Sequence, residues 1–104
     1  MLGINFASGK VVFEEFHICF SKPYSEQLDA LSEDLVQVVY GDNYILDIGW
    51  YPERNKDGNF AVQIIGGKDW ENPIFKKCCR EKDVLTKYIH ESIEVVEGLI
   101  RKRT

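Results

Sequence analysis

Several kinds of staple and anchor are missing from this chain of 104 residues. Cys19, Cys78 and Cys79 are its only cysteines, an odd number with two adjacent, so no disulfide framework is implied and reduced thiols are expected. No apolar run is long enough for a membrane span, and the first residues lack the basic-then-apolar layout of a secretory signal. A cytoplasmic location is therefore expected. There are no repeats, linkers or low-complexity segments, and a single domain spanning 1–104 is expected, long enough to bury a core without staples. Basic charge is scarce where most of the chain lies. Residues 1–40 carry 2 basic and 6 acidic side chains, residues 41–72 carry 3 and 6, and only residues 73–104 reverse the balance with 8 and 5. An overall charge of −4 argues against nucleic acid and anionic membrane as main partners, and for a basic one.

Catalytic motifs are missing too. There is no Gly-x-Ser-x-Gly, no His-Glu-x-x-His and no phosphate loop, so the chain is not expected to be an enzyme. Cys78-Cys79 with His17 or Cys19 offers metal-ligand types, but neighbours on a strand point to opposite faces and there is no Cys-x-x-Cys. No metal and no cofactor are expected, with one of the paired cysteines in the core and the other outside.

What is present is a clear hairpin. Tyr44, Leu46, Ile48 and Trp50 alternate with Ile45, Asp47, Gly49 and Tyr51, the period of a strand. Pro52 ends the run because it has no N–H for a ladder. Asp57-Gly58-Asn59 favours a reversal, and Phe60, Val62 and Ile64 restart the alternation. A loop over roughly residues 54–58 sets Trp50 opposite Val62 and Ile48 opposite Ile64. The second face then carries Ile45, Asp47, Gly49, Tyr51, Ala61, Gln63 and Ile65, too polar for a core and too aromatic for a purely solvated surface.

Around the hairpin, residues 11–20 read as a strand rich in β-branched and aromatic side chains. Tyr24, Leu28, Leu31, Leu35 and Val39 recur at spacings of three and four, which predicts a helix over 23–40 with Gly41 just past its end. A third hairpin-side strand is expected over 74–80, with Lys76-Lys77 as an edge-like charge pair. A final helix is expected over 84–102, capped by Asp83, with Leu85, Ile89, Ile93, Val96 and Ile100 as its stripe. Gly98 is expected to allow close approach to the sheet, and Arg101, Lys102 and Arg103 to complement the helix dipole. The expected fold class is α+β: an antiparallel β-sheet with two helices packed on one face, in the order β-α-β-β-β-α.

Two function classes follow. From residue 23 onward, α-β-β-β-α is the order of double-stranded-RNA-binding domains, and Lys76, Lys77, Arg80 and Lys82 could meet phosphate. The junction Glu81-Lys82-Asp83 is half acidic, however, where such domains are basic. The other class is protein binding. Asp47, Tyr51, Glu53, Asp57, Asp69, Trp70 and Glu71 are read as a patch on and beside the second face of the hairpin, with aromatic anchors amid carboxylates that would steer a basic partner.

The run from Asn43 to Glu53 (NYILDIGWYPE), followed by Gly58-Asn59-Phe60 and by Asp69-Trp70-Glu71-Asn72-Pro73, resembles small bacterial immunity proteins of contact-dependent growth-inhibition systems. The similarity covers most of residues 11–100. It implies a cytoplasmic, non-catalytic antitoxin that binds and neutralises, one to one, the C-terminal toxin domain delivered by a neighbouring cell. Many such toxins are nucleases, basic in order to hold phosphate, and an RNase A-like ribonuclease is the first expectation. The resemblance transfers no list of residues. On this reading, reversing Asp47 and Glu53 to lysine weakens protection.

Overall fold

The computed structural model describes residues 2–102. Five strands, β1 (Lys10–Glu14), β2 (Val36–Tyr40), β3 (Tyr44–Tyr51), β4 (Asn59–Gly66) and β5 (Phe75–Cys79), pair in sequence order as an antiparallel sheet, and one helix, α1 (Lys82–Arg101), follows. The α+β class is as expected. The number of helices is not.

The helix expected over 23–40 does not form. Its first half is two short 3-10 turns, Tyr24–Glu26 and Leu28–Ala30, and its second half is β2. Val36, Val38 and Tyr40 are fully buried while Gln37 and Val39 are only partly so, the period of a strand. β-branched and aromatic side chains dominate that run and pack better on a pleated surface than on a helix. Gln27 holds the loop before it: its side chain accepts from the Cys19 N–H and donates to the Cys19 carbonyl, both at 2.8 Å. Gly41 has φ +59°, but it serves the β2–β3 turn rather than a helix end.

The strand expected over 11–20 is shorter as well. Pairing ends at Glu14, with a bulge at Val12, and the chain then crosses the core, where Phe16 and Phe20 lie 6.1 and 5.9 Å from the Phe60 ring. In the β3–β4 hairpin Trp50 faces Phe60 and Ile48 faces Val62, two residues away from the expected register. An even displacement keeps every side chain on its face, so both face assignments stand.

Helix α1 covers the face formed by Val36, Val38, Tyr40, Leu46, Ile48, Trp50, Phe60, Val62 and Ile64, burying Leu85, Ile89, Ile93 and Val96 against it. Glu81 rather than Asp83 stands at its N-cap. A Cβ on Gly98 would meet only the Arg101 side chain at 3.9 Å, so that glycine permits no close approach. Arg103 lies outside the described residues. No helix among the described residues is long and apolar enough to cross a membrane.

Trp50 centres the aromatic end of the core. Its ring meets Phe60 edge-on at 4.9 Å and Tyr24 at 4.6 Å, and its Nε1–H donates to the Asn55 carbonyl at 2.8 Å. Arg80 lies over both Tyr24 and Trp50 and donates to the carbonyls of Gly58 and Lys56. These bonds tie the loop over residues 52–58 to the helix side of the sheet.

Candidate functional site on the open sheet face

The sheet face opposite α1 carries Gln37, Val39, Ile45, Asp47, Gly49, Tyr51, Ala61, Gln63 and Ile65. Cross-strand pairing puts Gln37, Asp47 and Gln63 in one row over three strands. The Asp47 carboxylate accepts from the Gln37 side-chain amide at 3.1 Å and from that of Gln63 at 3.5 Å. Asp47 is only 2% exposed. Burial pushes its carboxyl above the usual value of 3.8, the nearby Asp34 charge adds to the rise, and the two amides oppose it.

Glu33 and Asp34 come to this face through an irregular join between β2 and β3. The Leu35 N–H donates to the Ile48 carbonyl at 3.1 Å, and the Trp50 N–H donates to the Ser32 carbonyl at 2.9 Å, so that Glu33 and Asp34 together stand opposite the single residue Gly49 between the two bonds. The Arg54 N–H fixes the preceding residue by donating to the Leu31 carbonyl at 2.8 Å. The Glu33 carbonyl occupies the space where a side chain on Gly49 would stand. Only glycine permits that crossing.

The outcome is an acidic corner around Tyr51. Its hydroxyl is pushed up to about 12, first by burial and then by the charges of Asp47, Glu33 and Asp34. Ser32 links Glu53 to the same corner, donating to its carboxylate at 3.3 Å. Among the described residues no lysine or arginine forms an ion pair with Glu33, Asp34, Asp47 or Glu53. Such a corner holds an uncompensated negative potential, which attracts cationic side chains at long range and orients them at contact.

The expected patch is thus only partly one surface. Asp47, Tyr51 and Glu53 meet, although Asp47 sits beneath the surface and acts through its field. Asp57 is ion-paired with Lys56 at 3.1 Å, on the loop held toward the helix side. Asp69, Trp70 and Glu71 follow the far end of β4, roughly 23 Å along the strand from Tyr51 at about 3.3 Å per residue. Trp70 is 46% exposed there, and Asn72 donates to the Asp69 carboxylate at 3.2 Å. Glu33 and Asp34 were missed because a helical reading turned them to solvent. Their signal is the polar triplet Ser32-Glu33-Asp34 between Leu31 and Leu35, just before a β-branched run.

Other chemistry is sparse. No group of three His, Cys, Asp or Glu side chains among the described residues is placed to hold a metal ion. Cys79 packs against the core, where burial pushes its thiol up to about 11, while Cys78 is exposed on the other face. A cleft of about 440 Å³ at the start of α1 is lined in part by Lys22, Arg80, Glu81 and Lys82. The Arg80 guanidinium is committed to backbone carbonyls, and no α-helix precedes the sheet among the described residues. The α-β-β-β-α order behind the RNA-binding alternative is therefore lost.

Asp47 gives the corner a pH signature. A carboxyl whose folded pKa is raised contributes most to stability below the ordinary value of 3.8, and that contribution is lost as pH rises through its folded value. Asp47→Asn keeps an acceptor for one glutamine and removes the buried charge. The variant is expected to melt higher than the parent at neutral pH, with the gap closing as pH falls toward the ordinary carboxylate value. Thermal melts across that range check the sign. A variant that melts lower at neutral pH would contradict it.

Compared with known protein families, curated proteins and solved structures, this chain matches none.

Proposed function

We propose that this chain is a binding protein without catalytic activity, an immunity protein that captures a basic toxin domain through the open face of its sheet. One observation carries the reading: Glu33, Asp34 and Asp47 converge around the half-buried Tyr51, with Glu53 joined to the same segment through Ser32 and no lysine or arginine of the described residues paired to the four. Tyr51 and the exposed parts of Ile45 and Val39 supply area for contact, while the carboxylates set encounter rate and orientation. A nuclease toxin presents cations wherever it holds phosphate, so an acidic inhibitor competes with the nucleic acid for the same charges. An RNase A-like ribonuclease fits that description. The half-exposed Trp70, with Asp69 and Glu71, would form a second and separate contact for a large partner.

Co-expression tests the proposal. The partner to use is the C-terminal domain of a secreted toxin, whose reading frame this proposal expects immediately before this one. Growth should be rescued by the parent chain and lost or weakened with the double reversal Glu33→Lys, Asp34→Lys. Both side chains are exposed, so melting should change little, and binding should fall about tenfold or more. Full protection by the reversed variant, with unchanged binding, would show that another surface meets the toxin.

A further inference from the structure

We infer that the free protein associates with a second copy of itself through the outer edge of β1, joining two five-stranded sheets into one continuous antiparallel sheet. The two edges of the sheet are treated differently. On β5, Lys76, Lys77 and Cys78 are the exposed side chains, and Lys77 is paired with Glu91 at 2.6 Å, the charged dressing that keeps an edge solitary. On β1 the centre is Val11, Val12 and Phe13, exposed by 45%, 52% and 38%. All five residues of β1 are exposed, it pairs only with β2, and no backbone hydrogen bond among the described residues covers its outer side. Bulges ordinarily blunt an edge, but this one lifts Val12, the most exposed large apolar side chain among the described residues, out of the pairing with β2.

Charge selects the occupant. The strand reads Lys10-Val11-Val12-Phe13-Glu14, with opposite charges at its two ends. Antiparallel pairing of two copies about Val12 sets Lys10 of each opposite Glu14 of the other, Val11 opposite Phe13, and Val12 against Val12 on the two-fold axis. Parallel pairing in register would align like charges instead. A two-fold antiparallel contact is therefore self-complementary at every position, and it lies on the outer edge of β1, with β2 between it and β3.

The test is sedimentation velocity on the full chain without any toxin, from micromolar to millimolar concentration. The parent should shift from monomer to dimer over that range, and amide exchange along β1 should slow as the concentration rises. Val12→Lys puts like charges on the axis and should weaken dimerisation about tenfold or more. Lys10→Glu alone should also weaken it, and adding Glu14→Lys should restore it. Circular dichroism melts show that each variant is folded. A parent that stays monomeric throughout, or a folded Val12→Lys protein that dimerises like the parent, overturns the inference and leaves the proposed toxin binding untouched.

Discussion

Gly49→Ala is expected to destabilise the protein by about 3 kcal/mol, a large effect for the addition of one methyl group. A Cβ at this position would lie 2.0 Å from the Glu33 carbonyl oxygen and 2.8 Å from its carbon. Both are backbone atoms, so no side-chain rotation can relieve the contact. The segment cannot simply lift, because Leu31 and Ser32 are pinned to the hairpin by the N–H groups of Arg54 and Trp50. Relief requires breaking those bonds or distorting β3 beneath Asp47 and Tyr51. The substitution is therefore expected to reduce partner binding beyond what lost stability explains, since Glu33 and Asp34 move with the segment. Urea unfolding gives the stability change, and a loss under about 0.5 kcal/mol would mean that the Ser32–Asp34 join does not cross Gly49.

Trp50→Ala should cost still more, about 4 kcal/mol, within the range for emptying a fully packed aromatic site. The side chain is completely buried between Tyr24, Phe60 and Arg80. Removing it also orphans the Asn55 carbonyl that its Nε1–H satisfies, and takes away one of the two rings beneath Arg80. For a domain of this size, stability is commonly about 5–15 kcal/mol, so little margin would remain. Trp50→Phe keeps a ring but not the donor and should cost about 2 kcal/mol. Chemical denaturation separates the two variants, and proteolysis at the 52–58 loop should quicken in both. Equal stability of the Phe and parent proteins would show that the Asn55 bond contributes nothing.

How much of this was legible in residues alone depends on which contacts are local. The β3–β4 hairpin was readable because its alternation is strict on both strands and Asp57-Gly58 marks the return. Its register came out two residues away because loop length, 52–58 rather than roughly 54–58, depends on Arg80 and Trp50 holding the loop. Helix α1 was readable from its single apolar stripe. Residues 23–40 misled because Leu28, Leu31, Leu35 and Val39 happen to sit at helical spacing, while the alternation of Val36, Val38 and Tyr40 supports a strand. Gly41 fits either a helix end or a tight turn, since both want a left-handed residue. Of the site, Asp47, Tyr51 and Glu53 were found from the hairpin itself. Glu33 and Asp34 were not, because what brings them there is a tertiary crossing over Gly49 with no periodic signature.

In the proposed function the acidic corner is what links fold to partner, and its electrostatics can be measured directly. Stopped-flow association of the purified toxin domain with the parent and with Glu33→Lys, Asp34→Lys, over a series of salt concentrations, reads it out. The parent should associate fast and slow steeply as salt screens the field, while the reversed variant should be about tenfold or more slower at low salt and nearly insensitive to it. Identical rates and identical salt slopes for the two proteins would contradict a role for this corner in meeting the partner.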